Sequence, residues 1–141
     1  MSPEFETALS IYPAVVRKQL RALHSLVVST GKQLEGVGAI CEELRWGQPS
    51  FLTLESGSGS TIRMDGRRND PTLVALYFHC QSGLVPQFRE LYGDKLTFEK
   101  DRAILLAADK PLPKAELIHC ISLALTHHLR KKTTGHHRKK K

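Results

Sequence analysis

Apolar residues recur every three or four positions in three segments of the chain, which cover residues 13–31, 82–93 and 113–129. This spacing gives a helix one apolar side that can pack against a core. Pro13 and Pro113 suit the first turn of a helix, because their missing N–H has no partner there in any case. We therefore predict three main helices, the last of which runs directly into the basic end of the chain.

Alternation of apolar and polar residues marks 73–80 as the most strand-like segment of the chain. Residues 51–65 read as two strands joined by the loop ESGSGS, and a second short hairpin is predicted across Lys100 and Asp101. For the segment 73–80, the side predicted to face the core consists of Val74, Leu76, Phe78 and Cys80.

The segment before these strands, LEGVGAICEEL, breaks at Gly36 and Gly38. Ile40 and Leu44 are then one turn apart, which predicts a short helix. The strands are linked by short loops and not by helical crossovers, so we predict an α+β fold with an antiparallel or mixed sheet of about five strands and three main helices. We expect one domain, residues 1–132, followed by a basic tail, residues 133–141.

The net charge of +7 is concentrated at the C-terminal end. Residues 130–141 carry seven of the 21 Lys and Arg residues and no acid, which leaves 14 basic and 14 acidic residues elsewhere. Composition therefore indicates no basic surface on the domain. We expect any nucleic-acid binding to be weak, nonspecific and confined to the tail.

Two observations bear on the cellular compartment. The longest uninterrupted apolar run, Leu73–Phe78, is far shorter than the about 20 residues of a membrane-spanning helix, and the start MSPEFETAL lacks the features of a signal peptide. We expect a cytoplasmic protein with no membrane contact. Cys41, Cys80 and Cys120 are then expected to remain thiols and to behave as small core residues.

The run ELRWGQPSF, together with ESGSGSTIRMD, LYFHCQSGLVPQFRELYGDKLTFEKDRAILL, DKPLP and HCISLALTHHLRKK, resembles the YdhG-like domain family, domain of unknown function 1801. The resemblance covers roughly residues 10–132, about the size of one domain, and Trp-Gly-Gln-Pro-Ser-Phe is its most specific part. It implies a small α+β fold without an agreed set of catalytic residues. One branch of the family resembles a frataxin-like iron chaperone, so an iron or metal carrier is an alternative function.

The same run interrupts a segment that otherwise reads as a strand. Pro49 has no N–H for a sheet ladder and Gly47 has no side chain to pack, so we predict an edge, a bulge or a bend here. We expect Trp46, the only tryptophan, to be at least half buried beside this bend. Whether the bend serves a binding site stays open.

Motifs for metal binding and catalysis are weak. The pairs His79–Cys80 and His119–Cys120 contain zinc-ligand residue types, but adjacent residues of a strand point to opposite faces, and neither Cys-x-x-Cys nor His-Glu-x-x-His occurs. Carboxylates for iron are scattered. Ser58 lies between two strands and not at a nucleophile elbow. We predict no metal site, no cofactor and no catalytic residue, and favour a binding or interaction module over an enzyme.

The sheet face opposite the core is the remaining candidate surface. If neighbouring strands alternate as predicted, this face gathers aromatic, hydrogen-bonding and cationic side chains that suit a small polar or anionic ligand. The alternatives are that a helix or a second copy of the chain, in a homodimer, covers this face. The candidate residues are Trp46, Gln48, Ser50, Arg63, Tyr77 and His79.

Overall fold

A computed structural model describes residues 1–131, and the predicted tail, residues 133–141, lies outside them. Helices occur at both ends of this part of the chain and strands occupy its middle. In chain order the elements are α1 (Pro3–Leu9), α2 (Ala14–Lys32), β1 (Cys41–Arg45), β2 (Gln48–Leu52), β3 (Ile62–Gly66), β4 (Leu73–Phe78), a 3-10 turn (Cys80–Ser82), α3 (Leu84–Tyr92), β5 (Thr97–Glu99), β6 (Ala103–Ala107) and α4 (Lys114–Leu125).

The six strands form one sheet in the order β1-β2-β3-β4-β6-β5, and every neighbouring pair is antiparallel. The predicted α+β fold is confirmed, with one strand more than expected. Both predicted hairpins are present: β2 pairs with β3, and β5 pairs with β6.

All four α-helices lie on one face of this sheet. Helix α1 packs against β1 and β2, α2 packs against β3 and β4, and α4 packs against α2 and α3. The core fills the space between the two layers, and its largest fully buried side chains include Phe5, Phe51, Phe78, Phe88, Leu20, Leu76 and Ile104. The opposite face of the sheet, called the open face below, carries no helix among the described residues.

Helix α2 has almost the predicted limits, whereas α1 was not predicted. The signal for α1 was present in the sequence: Ser2 caps the helix by accepting a hydrogen bond from the Phe5 N–H, and Pro3 occupies the first turn. Phe5 and Leu9, one turn apart, are both fully buried. Seven residues are too few for a helix that is stable alone, so burial of these two side chains stabilises it.

The short helix predicted around Ile40 and Leu44 is wrong, because residues 41–45 form strand β1. Its five residues pair in register with β2, from Cys41 opposite Leu52 to Arg45 opposite Gln48. An apolar pair four residues apart fits a helix and a strand equally well over so short a segment. Its pairing with β2 makes residues 41–45 a strand and not a helix.

Helix α4 ends at Leu125 and does not run straight on, as was predicted, through residue 129. The Ser58 hydroxyl donates a hydrogen bond to the Leu125 carbonyl, and the Ser58 carbonyl accepts one from the His128 N–H at 2.8 Å. The β2–β3 loop thus supplies partners that a continuing helix would supply itself. Residues 127–131 form a separate short helical segment.

Candidate functional site

Strands β1 to β4 place a row of polar side chains across the open face. Ser50 lies opposite Glu43 on one side and Arg63 on the other, and Arg63 lies opposite Tyr77. Directly opposite residues of an antiparallel pair have Cβ atoms about 5 Å apart. Arg63 and Tyr77 are therefore neighbours across the sheet, as the strand alternation predicts.

Trp46 and Gly47 form the two-residue turn between β1 and β2. Their φ angles are 56° and 74°, and two positive values are the mark of the hairpin turn whose twist matches that of the strands. Gly47 adopts this conformation without strain, but an aromatic residue there is uncommon. The interruption of the strand pattern at Gly47 and Pro49 thus marks the turn at which the chain reverses between β1 and β2.

The expectation that Trp46 is at least half buried is wrong, because its side chain is 90% exposed. The turn projects beyond the strands, and no helix of the described chain covers it. An indole with this exposure contributes almost nothing to the core. It is, however, fully accessible to another molecule.

Gln48, the first residue of β2, is held by Asp65 on β3. The Gln48 side-chain amide donates to Asp65 Oδ2 at 3.1 Å, and the Tyr12 hydroxyl donates to Asp65 Oδ1 at 2.6 Å. Burial and the hydrogen bond with Asp65 raise the pKa of Tyr12 to about 12. Tyr12 is therefore a neutral donor at pH 7, and the Asp65 carboxylate orients Gln48.

Ser50 does not contribute to an accessible site. It is fully buried, and its hydroxyl donates to the Gln48 carbonyl at 2.9 Å. A small side chain between long neighbours is easily covered by them, which strand alternation alone does not reveal.

His79 lies just after β4 and caps the 3-10 turn. Its Nδ1 accepts a hydrogen bond from the Gln81 N–H at 3.1 Å, so the neutral ring carries its proton on Nε2. Nε2 has no hydrogen-bond partner within residues 1–131. Because β4 ends at Phe78, Cys80 is exposed, and its prediction as a core residue is wrong.

Five of the six candidate residues line one concavity of about 370 Å³ at this corner of the open face; Ser50 is the exception. We call it the Trp46 concavity. Three lining residues were not predicted. Within residues 1–131 the lining consists of Trp46, Gln48, Arg63, Tyr77, Phe78, His79, Cys80 and Arg102.

Arg102 reaches the concavity from the loop between β5 and β6. Its carbonyl accepts a hydrogen bond from the Phe78 N–H at 2.8 Å, and Arg89 holds the same loop through Asp101 at 3.2 Å. Only the order of the strands, which places β6 beside β4, brings this residue to Tyr77. No local motif in the sequence announces that contact.

The Trp46 concavity is cationic. None of its described lining residues is acidic. Arg63 is a partly buried residue, and its guanidinium has no hydrogen bond or ion pair within residues 1–131. A cation that is partly removed from water and left unpaired favours the approach of an anion.

Two acids of the open face, Glu99 and Glu43, lie beside arginines. Glu99 makes a two-pronged ion pair with Arg67, at 2.6 and 2.8 Å, and this hydrogen bonding holds the pKa of Glu99 below its ordinary value. Glu43 lies 3.6 Å from Arg45. Neither of these two acids pairs with Arg63, and Asp65, on the same face, is held by the neutral donors Gln48 and Tyr12.

Within residues 1–131, no three His, Cys, Asp or Glu side chains are gathered as a metal site. All three cysteines are free thiols. Cys120 is fully buried, and this burial, with the charge of Glu116, raises the pKa of its thiol to about 12. It is therefore not a nucleophile at neutral pH.

None of the helices between residues 1 and 131 combines the length and the apolar character needed to cross a membrane.

The molecule thus belongs to the class of two-layer α+β domains with helices on one face of an antiparallel sheet. Among solved structures, it is similar to the crystal structure of a protein from the DUF1801 family (YdhG) from Bacillus subtilis. Sequence identity is 13%, the TM-score is 0.57, and the match covers 84% of this chain and 86% of that one. The chain has the YdhG-like fold, which confirms the resemblance noted in the sequence at the level of fold. No protein-family model and no curated protein matches the chain.

Proposed function

We propose that this protein is a cytoplasmic binding module that takes a small anionic ligand into the Trp46 concavity. The observation that carries the proposal is that Arg63, a partly buried residue of the concavity, lacks an anionic partner among the described residues. A guanidinium presents several N–H donors in a plane that matches a carboxylate or a phosphate. An anion held there replaces the water that Arg63 lost on folding.

The other lining groups favour a ligand with a flat apolar part. Tyr77 lies beside Arg63 on the sheet, and Trp46 stands at the rim with its indole exposed. Aromatic faces of this kind pack against planar groups. The His79 Nε2–H and the amide of Gln48, which Asp65 orients, supply further hydrogen bonds.

The test is a titration of the full chain with benzoate and with inorganic phosphate, followed by isothermal calorimetry and by the fluorescence of Trp46, the only tryptophan. We expect binding of at least one of these anions, and a loss of affinity of about tenfold or more in Arg63→Ala, because a charged hydrogen bond contributes roughly 1.5–3 kcal/mol.

Arg21→Ala is the matched control. It removes the same charge from α2, in the helical layer, where Arg21 pairs with Glu6 at 2.7 Å. This control should bind as the unmodified protein does. Equal affinities of Arg63→Ala and the unmodified protein would contradict the proposal. A homodimer that binds no anion and that dissociates on Trp46→Ala, as measured by sedimentation, would also contradict it. The concavity would then be an interface between two copies of the chain.

A further inference from the structure

A second concavity, of about 420 Å³, adjoins the first, and His79 lines both. The β2–β3 loop, the 3-10 turn and the segment after α4 form its walls. Like the first concavity, it has no acidic residue among its described lining. Its polar groups include Ser60, Thr61, Ser82, His127, His128 and Lys131.

The wall that bears the histidines is held in place by hydrogen bonds with the β2–β3 loop. The Ser60 N–H donates to the Ala124 carbonyl at 2.9 Å, and the His128 N–H donates to the Ser58 carbonyl at 2.8 Å. The Ser58 hydroxyl, fully buried, donates to the Leu125 carbonyl at 2.8 Å. The second concavity is therefore a built surface and not a chance approach of two loose segments.

Positive charge continues from one concavity into the other. Arg63 and Arg102 line the first, and Lys131 lines the second. Burial is the main cause that lowers the pKa of His127, and the neighbouring charges of His128, Arg130 and Lys131 lower it further. A ligand that satisfies both concavities is thus an extended polyanion.

The aromatic side chains distinguish among polyanions. Trp46 is 90% exposed at the tip of a turn whose positive φ does not favour an aromatic residue. Inorganic polyphosphate and polyglutamate offer no aromatic ring on which an indole or Tyr77 could stack. Nucleotide bases do, and an unpaired base exposes both of its faces.

We propose that the two concavities form one site for single-stranded nucleic acid. The backbone phosphates contact Arg63, Arg102 and Lys131, while bases stack on Trp46 and Tyr77. The hydroxyls of Ser60 and Thr61 are further donors for phosphate oxygens. This inference rests on the proposed function, because Arg63 is the central cation of the small-anion site and of the nucleic-acid site. It places nucleic-acid binding on the folded domain.

The experiment measures binding of fluorescein-labelled oligothymidylate, on the order of ten nucleotides long, to the full chain by fluorescence anisotropy. Trp46→Ala and Arg63→Ala should each weaken binding about tenfold, and Trp46→Phe should retain most of it, because a phenyl ring still stacks. Lys131→Ala should also weaken binding. Arg21→Ala, the control with the same change of charge, should leave it unchanged, and circular dichroism of each variant checks the fold.

Salt dependence gives a second readout. The slope of the logarithm of affinity against the logarithm of salt concentration should become shallower by about 0.7 in Arg63→Ala, the value for the loss of one phosphate contact to a single strand. Trp46→Ala should lower affinity without changing this slope, because stacking releases no counterion.

Four results would overturn the inference. One is unchanged affinity in both Trp46→Ala and Arg63→Ala, which would move nucleic-acid binding to another part of the chain. Another is thymidine 5′-monophosphate binding as tightly as the oligonucleotide; the proposed small-anion site would then stand and only its extension would fail. The third is equal competition by polyphosphate or polyglutamate, and the fourth is equal affinity for duplex DNA.

Discussion

The two faces of the sheet differ in what buries them, and β4 shows the difference within one strand. Val74, Leu76 and Phe78 are buried under the helical layer, whereas Leu73 and Tyr77, on the open face, stay partly exposed. On the helical side, a second layer removes the side chains from water. On the open side, as far as residues 1–131 show, only neighbouring side chains do so. Stability should therefore depend mainly on the first face, which leaves the second free to bind.

The polar groups of the two faces differ in the same way. On the helical side, Glu42 accepts from His24 at 2.7 Å and from the Ser2 N–H at 2.8 Å, so its carboxylate is fully engaged. On the open side, Arg63 has no partner within the described chain. A polar group that holds the layers together finds its hydrogen-bond partners within the protein. A polar group at the surface that lacks such a partner is available to a ligand.

The largest expected effect tests the face of the sheet that the helices cover. Phe78→Ala should lower the free energy of unfolding by about 3–5 kcal/mol, because Phe78 is 1% exposed and packs edge-on against Phe88 with ring centroids 5.0 Å apart. His79→Ala, at the next position but exposed, should cost about 1 kcal/mol or less. Urea denaturation of both variants measures the difference. If His79→Ala proves the more damaging, the assignment of the two faces is wrong.

A smaller effect on the free energy of unfolding is expected from Glu42. Burial alone raises the pKa of this carboxyl, but the hydrogen bonds from His24 and Ser2 outweigh it, and the net pKa lies below the ordinary 4.5. A lowered pKa gives stability that is present above pH 4.5 and is lost as the pH falls through the folded-state value. Glu42→Gln should therefore cost about 1–2 kcal/mol at pH 7.

The pH profile of unfolding provides the check. In the unmodified protein the free energy of unfolding should fall on acidification below the ordinary carboxyl value, and Glu42→Gln should flatten part of that fall. A profile that is parallel in both proteins over the whole acid range would show that Glu42 does not connect α1, α2 and β1 in solution.

The smallest expected effect separates stability from binding at the hairpin tip. Trp46→Asn should stabilise the fold by about 0.5–1 kcal/mol, because asparagine tolerates the positive φ of 56°. The same change removes the aromatic surface and should weaken ligand binding. Gly47→Ala should cost about 1 kcal/mol through its φ of 74° alone, since a Cβ there meets no atom within 4 Å. Circular-dichroism melts report both changes, and a loss of stability in Trp46→Asn would contradict the turn assignment.

Local pattern predicted the elements whose periodicity is long or strict. Helix α2 repeats its apolar spacing often enough to exclude a strand, and strand β4 repeats its own often enough to exclude a helix. Strand β1 has five residues, and its identity depends on pairing with β2. The end of α4 depends likewise on Ser58, 67 positions away in sequence from Leu125. Where the partner is distant in sequence, local spacing cannot select the structure.

The candidate site likewise has a part that the local pattern predicted and a part that it did not. Alternation along β2, β3 and β4 is a property of each strand alone, and it was sufficient to predict that Arg63 and Tyr77 share a face. Exposure is not a local property. Trp46 is exposed because no part of residues 1–131 covers the β1–β2 turn, whereas Ser50 is buried between its longer neighbours Glu43 and Arg63. Arg102 joins the site only because β6 pairs with β4. The amino-acid sequence thus determined which side chains the sheet aligns, and the tertiary structure decided which of them a ligand can reach, because accessibility depends on what packs above a residue.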